Sequence, residues 1–445
     1  MGSNKVKTLI IMMLMLAMVV VGCSSNEEGN ETNSTTAKVN EKSNEPRTLT
    51  LMVRPYPNEV EKEQWVRMGD AFEEKNEGIT VEFVTGDVAV ESGKLTTMLN
   101  SGETPPDSIL MYAGPARVAI LSGAGLLTPL NDMYEANNWK DDLFPWVYDV
   151  VTLKEKTYEL PHSVDYLGIS HNIKTFEGLG IEYPTNAEEF YAVGAKLKEA
   201  GKFPVALGIR GGYASSWLFG NILSAVAGTE NVEKLMFGEA KWTDEPFVRA
   251  AEELKKWVDL GIIDSSAVSL TSDDQQALFL QNKAGYETAS GYNINNYITA
   301  NILEDVEIRP LPSFTEGVTS LATGGVALTW VVPVKSENKD LVEEWFKFII
   351  KDYPALNLAD FEASQIPATK AAFEAETPNP LMANLIERLK EGVGYNPTVY
   401  IGNNTKEKYL QALQGLIGGL LTPLEAMEIA EEGRLLDVEA GFSLK

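Results

Sequence analysis

From Arg47 onward, short alternating apolar runs and helix-spaced apolar runs take turns, and that succession confines the chain to an α/β layer architecture. Residues 48–53 (Thr-Leu-Thr-Leu-Met-Val) alternate as a strand, broken by Pro55 and Pro57. Asn58 stands where a helix cap belongs, ahead of Trp65, Met68 and Phe72 at helical spacing. Ile79, Val81 and Phe83 predict a second strand. Leu95, Met98 and Leu99 predict a short helix stopped by Gly102 and Pro105, and residues 107–112 a third strand. Strand, helix, strand, helix, strand is the pattern of a mainly parallel sheet covered by helices. It recurs with a strand over 166–170 and a helix opened by a Thr185/Glu188 capping box that carries Phe190, Val193 and Leu197. A strand over 203–209, helices over 217–226, 247–260 and 273–281, and a strand over 284–289 follow. Beyond Leu341 the chain reads as mostly helical, with Thr422-Pro423-Leu424-Glu425 as a strong helix start. No Ser- or Gly-rich linker divides this body, so two domains would be joined by more than one crossing.

The part before Arg47 follows other rules. Lys5 and Lys7 precede an unbroken apolar run over 9–21, too short to span a hydrocarbon core that needs roughly 20 apolar residues. The run ends at Cys23, the only cysteine of the chain. Val20-Val21-Gly22-Cys23 resembles the bacterial lipobox. The resemblance implies that residues 1–22 are a removed signal peptide and that the Cys23 sulfur carries a diacylglycerol. It also implies export and a lipid tether to the extracytoplasmic face of the cell membrane. Residues 23–46, with no aromatic and almost no large aliphatic side chain, read as a disordered tether. No cysteine remains in the body for a disulfide or a thiol nucleophile.

The formal net charge of -27 excludes a nucleic-acid partner, whose phosphates need Lys and Arg, and a basic membrane-surface patch. There is no G-x-G-x-x-G after a strand, no P-loop, no G-x-S-x-G, no H-E-x-x-H and no EF-hand loop. His162 and His171 are the only histidines and have no Cys or His companions, so they read as structural. The expectation is a protein without catalytic residues, cofactor or metal.

Several stretches carry a resemblance over 48–436. They are Leu99-Asn-Ser-Gly-Glu-Thr-Pro-Pro-Asp107, Gly125-Leu-Leu-Thr-Pro-Leu130, Tyr158-Glu-Leu-Pro161, residues 175–180 with Pro184-Thr-Asn-Ala-Glu-Glu-Phe190, Phe279-Leu-Gln-Asn-Lys-Ala-Gly285 and Leu421-Thr-Pro-Leu-Glu-Ala426. In this order the chain resembles family 1 of the extracellular solute-binding proteins of ABC importers, the sugar-binding, maltose-binding-protein-like type. It departs from the family pattern at Asn186, Ala187 and Asn282, and in Arg54-Pro55-Tyr56. The resemblance implies an α/β, two-lobe periplasmic-binding-protein-like fold with hinge strands and a mostly helical C-terminal part. One lobe would take 47–163 and 286–333, the other 164–285 and 334–445. The implied function is to capture a carbohydrate, an oligosaccharide in particular, between the lobes of a monomer and deliver it to ABC permease subunits. The alternatives are a peptide or polyamine receptor of the same fold, or a surface glycosidase.

A sugar presents flat C–H faces and a rim of hydroxyls, which suit aromatic rings and planar polar groups. The cleft of an α/β sheet lies beyond the carboxyl ends of its strands. The candidates so placed are Tyr56, Asp87, Tyr112, Arg210, Trp217, Tyr292 and Asn293; Asp165, beside the hinge the resemblance implies, and Trp330, near the second crossing, join them. Trp65, Trp257 and Trp345 lie on helical apolar faces and are expected in the core.

Overall fold

The computed structural model describes residues 46–444; the expected signal peptide, Cys23 and the expected tether up to its last residue, Pro46, lie outside the described residues. The strands are β1 (Arg47–Val53), β2 (Ile79–Thr85), β3 (Ser108–Tyr112), the short pair β4 (Thr152–Leu153) and β5 (Lys156–Thr157), β6 (Glu159–Asn172), β7 (Phe203–Ala206), β8 (Ala284–Ala289), β9 (Val306–Arg309) and β10 (Thr323–Val331), with two brief strands after them. The main sheet runs β2-β1-β3-β10-β6-β8-β7. β1 pairs in parallel with β2 and β3 at one end, and β7 pairs in parallel with β8 at the other. Between them β10 and β6 run antiparallel to their neighbours.

β6 joins the two halves. Its residues 159–167 pair with β10, and its residues 168–172 pair with β8 and β9. Separate cores sit on either side. In β1, Leu49, Leu51 and Val53 enter one cluster and Met52 enters another on the opposite face, as the two-residue period of a strand requires. Helices therefore cover both faces of this first half. The second half has its own cluster around Phe190, Leu218, Phe219, Trp257 and Tyr286. The result is the expected two-lobe α/β architecture.

Local readings hold in kind, with shifted bounds: the strand expected over 166–170 is part of Glu159–Asn172, and the helix expected over 217–226 opens at Tyr213. Asn58 caps the helix Glu59–Lys75, and Thr422 and Glu425 form the capping box of Pro423–Glu439. The cap of Ala187–Glu199 is Asn186, one residue later than Thr185: its side chain accepts from the Glu189 N–H, while Glu189 accepts from Thr185 N–H and hydroxyl. β7 ends at Ala206; residues 207–209 continue buried but outside the ladder.

The C-terminal part divides differently from the expectation. Helices Lys339–Lys351 and Pro380–Lys390 bury Trp345, Phe346, Leu385 and Ile386 with the first lobe's core. Phe72 meets Trp345 at 5.2 Å and Phe348 at 5.7 Å, because the apolar stripe from Leu341 on faces the helix Glu59–Lys75. The segment from Tyr395 on, with the helices Pro397–Tyr400, Asn403–Ile417 and Pro423–Glu439, packs into the second core.

Two glutamates are buried outside any ion pair, although Arg117 lies near enough to Glu159 to oppose the effect of burial there. Glu159 in β6 and Glu287 in β8 are pushed up to about 8, first of all by burial. A carboxyl raised in the fold keeps its proton where the unfolded chain has lost it, so its contribution to stability falls as pH rises from 4.5 through 8. We expect Glu159→Gln to flatten part of that fall, read as urea midpoints between pH 5 and 8.

Candidate functional site

The carboxyl ends of β1, β3 and β8 bring side chains of both lobes to the crossing strand β6. Among the described residues, three of the four large aromatic side chains that are more than a third exposed meet here: Tyr112 (39%), Tyr213 (41%) and Tyr292 (36%). Tyr112 ends β3. Tyr213 opens the helix Tyr213–Ala227. Tyr292 lies in the turn Gly291–Asn293 that follows β8.

Charged groups stand beside the rings. The Arg54 guanidinium lies 5.7 Å from the Tyr292 ring centroid, and that of Arg117 6.0 Å from Tyr112. Each arginine is already paired: Arg54 with Glu61 at 2.8 Å, and Arg117 with Glu91 at 2.8 Å. Glu91 also takes the Lys406 ammonium at 2.5 Å. Burial alone would raise Glu91, but Arg117 and Lys406 more than reverse this and hold it at about 2. Burial, reinforced by Arg117, brings Lys406 down to about 8 against the pull of Glu91.

Asp165 forms the floor. It lies on β6 opposite Gly325 of β10, and it accepts from the Tyr166 N–H at 2.9 Å. Burial raises it to about 6, opposed by hydrogen bonds from Tyr166, Gly291 and Ser290 and by no cation. Gly325 has φ +129, and a Cβ there would meet nothing within 4 Å, so the hinge backbone is open beside this carboxylate. Burial, and then Asp165, push the Tyr292 phenol well above its ordinary value, although its ring is open to solvent.

Of the nine candidates, Tyr112, Asp165 and Tyr292 are brought together here. Trp217 is half-buried on the helical face it shares with Tyr213 and Asn221, and Asn221 donates to the Leu167 carbonyl of β6. Tyr56 is half-buried against the first core, beside Glu61. Asn293 spends its side-chain oxygen on the Ser290 N–H, closing the turn that presents Tyr292. Asp87 accepts from the Ala89 N–H and pairs with Lys94 at 3.3 Å, shaping the loop that leads to Glu91.

Two candidates stand elsewhere. Trp330 is fully buried: its indole N–H donates to His162 Nδ1 at 3.3 Å, and its ring packs against Trp65 and Trp345. β10 is an inner strand covered on both faces, so an aromatic there is core. Arg210 is exposed, its backbone N–H bound to the Leu270 carbonyl, and its charge acts on Asp274. Both histidines are structural, lowered by burial to about 3 at His162 and about 4 at His171. Among the described residues no group of His, Cys, Asp and Glu could hold a metal ion, and no helix is long and apolar enough to cross a membrane.

Sequence reasoning missed Tyr213, Arg54, Glu61, Glu91, Arg117 and Lys406. Tyr213 had a signal, since it follows Gly211-Gly212 four residues before Trp217. Arg117 had another, as a lone charge in the apolar segment Pro115–Gly123.

The model of the family described as bacterial extracellular solute-binding protein matches residues 56–352, the greater part of the chain. The chain belongs to that family. Its members are extracytoplasmic binding proteins of ABC transporters, which take a small-molecule ligand and work with ABC permeases. An uncharacterised ABC transporter extracellular-binding protein of Pyrococcus horikoshii is 27% identical over 385 residues, covering 84% of this chain and 83% of that one. A structure solved for work on xylan utilization by the thermophilic bacterium Caldanaerobius polysaccharolyticus shares the fold at TM-score 0.76 and 21% identity, over 86% of this solute-binding protein and 99% of that chain. A chitin oligosaccharide binding protein does so at TM-score 0.75 and 19% identity, over 88% and 100%.

Proposed function

We propose that this solute-binding protein is a lipid-anchored surface receptor that captures an uncharged oligosaccharide between its lobes and delivers it to the permease of an ABC importer. The observation that carries the reading is the pairing of charge around the three tyrosines. Arg54 is engaged by Glu61, and Arg117 and Lys406 share Glu91, so each of these cations already holds a carboxylate, while Asp165 faces the rings with no cation of its own. A polyamine needs several free carboxylates, and a uronate or phosphate ester needs a free cation. A neutral chain of sugar rings needs neither: its C–H faces lie on tyrosines, and its hydroxyls donate to Asp165. The relation to a chitin oligosaccharide binding protein and to xylan utilization points the same way. Cys23, after its apolar run, supports the lipid anchor. The proposed action is binding, with no catalytic residue, cofactor or metal.

Among the described residues, all three hydrophobic clusters lie after Arg47, so the body from Pro46 on is assayed alone. A thermal-shift screen of that body should separate the classes, because a ligand that binds only the folded state raises the melting temperature. Neutral oligosaccharides should raise it and remain unchanged on incubation. A rise with polyamines or peptides alone would overturn the ligand, and release of shorter sugars would make the protein an enzyme.

A further inference from the structure

Two opposite charges from different lobes meet at one end of the cleft. Glu91 belongs to the short turn Val90–Ser92, and Val90 packs with Met52, Ile109 and Met111 of the first lobe. Lys406 belongs to the helix Asn403–Ile417, whose Tyr409, Leu413 and Leu416 lie in the second lobe's core. Their contact joins residues 315 positions apart. The Lys406 side chain is 7% exposed and that of Arg117 10%, so bulk salt screens this cluster weakly.

The backbones close up at the same place. Gly114, at φ +141, comes so near the second lobe that a Cβ would stand 2.8 Å from the Val399 carbonyl oxygen. The Tyr112 ring lies 6.0 Å from the Arg117 guanidinium, and Tyr213 feels the charges of Glu91 and Arg117, so the two tyrosines flank this contact from opposite lobes.

We infer that the Glu91–Lys406 ion pair, braced by Arg117, is a latch that holds the two lobes together before any ligand enters. Opening the cleft separates Lys406 from Glu91, while Glu91 keeps Arg117 on its own lobe. The cost of opening is therefore concentrated in one contact, which the ligand does not make. A ligand shifts the lobes only by its differential contacts, and its apparent affinity scales with the fraction of protein already closed. The latch raises that fraction whatever the ligand is, so the inference rests on the two-lobe fold and not on the sugar reading.

The test needs no ligand. The body from Pro46 on contains no cysteine, so Asn100→Cys on the first lobe and Glu428→Cys on the second, both exposed, can carry one nitroxide pair. Electron–electron resonance on this pair should give a single short distance. Lys406→Met leaves Glu91 paired with Arg117, and it should transfer population to a longer distance, lowering the closed-to-open ratio by about tenfold or more. Lys408→Met, which removes an ion pair to Glu432 within the second lobe, should leave the distribution unchanged. If Lys406→Met fails to fold, Glu91→Asp keeps the charge, shortens its reach and is read in the same way. An unchanged distance distribution in a folded Lys406→Met or Glu91→Asp variant overturns the latch.

Discussion

Tyr292→Ala should weaken binding of the neutral oligosaccharide by about 30-fold while leaving the fold almost as stable as before. The ring stands on a turn, with 36% of its surface exposed and one cation–π contact to Arg54. Losing that contact costs the empty protein about 1 kcal/mol at most. Losing an aromatic wall from an occupied cleft costs about 2 kcal/mol, the usual size of a tyrosine hot spot, and that gives the 30-fold factor. Titration calorimetry with the sugar that raises the melting temperature most, set beside urea unfolding of the empty protein, reads both quantities. A large loss of stability with intact affinity would put Tyr292 in the core.

Trp330→Ala should do the opposite. The indole is fully buried among Trp65, His162 and Trp345, and it is the donor that fixes the His162 tautomer. Truncating a buried tryptophan leaves a cavity and costs about 3–5 kcal/mol. Burial holds His162 neutral, down to about 3 in the fold against 6.5 in an open chain. A base lowered in the fold contributes stability above 6.5 that is lost as pH falls from 6.5 toward 3, because only the unfolded chain takes up the proton. The cavity should make the variant unfold at much lower urea, and its deficit should shrink toward acid if water then reaches the imidazole, because His162 can take up its proton without unfolding. At low temperature, where it remains folded, its sugar affinity should match that of the parent.

The two tyrosine-rich strand ends were legible in the sequence because they depend on local order alone. Tyr112 closes an apolar run, and Tyr292 follows Ser290-Gly291. Asp165 was legible only through the family resemblance, which put it beside a hinge strand; the strand read over 166–170 starts one residue after it, and β6 in fact runs from Glu159 to Asn172. What remained hidden depends on contacts between distant segments. Trp330 alternates like any strand residue, and only the strand's place between β3 and β6 shows that neither of its faces meets solvent. The Lys406–Glu91 pair spans 315 positions, and no periodicity relates such residues. The helix Lys339–Lys351 shows an apolar stripe, but a stripe does not say which core it joins; Phe72 and Phe348 decide that. The shifted cap at Asn186 is subtler: Thr185 and Asn186 can both cap, and the extended backbone at Asn186 selects the second.

The most direct test is a crystal structure of the body from Pro46 on with the best oligosaccharide of the screen. The account predicts sugar rings lying against Tyr112, Tyr213 and Tyr292, with at least one hydroxyl donating to Asp165 and no charged group of the ligand in contact with Arg54 or Arg117. A ligand seated elsewhere, with these three rings bare, would contradict it.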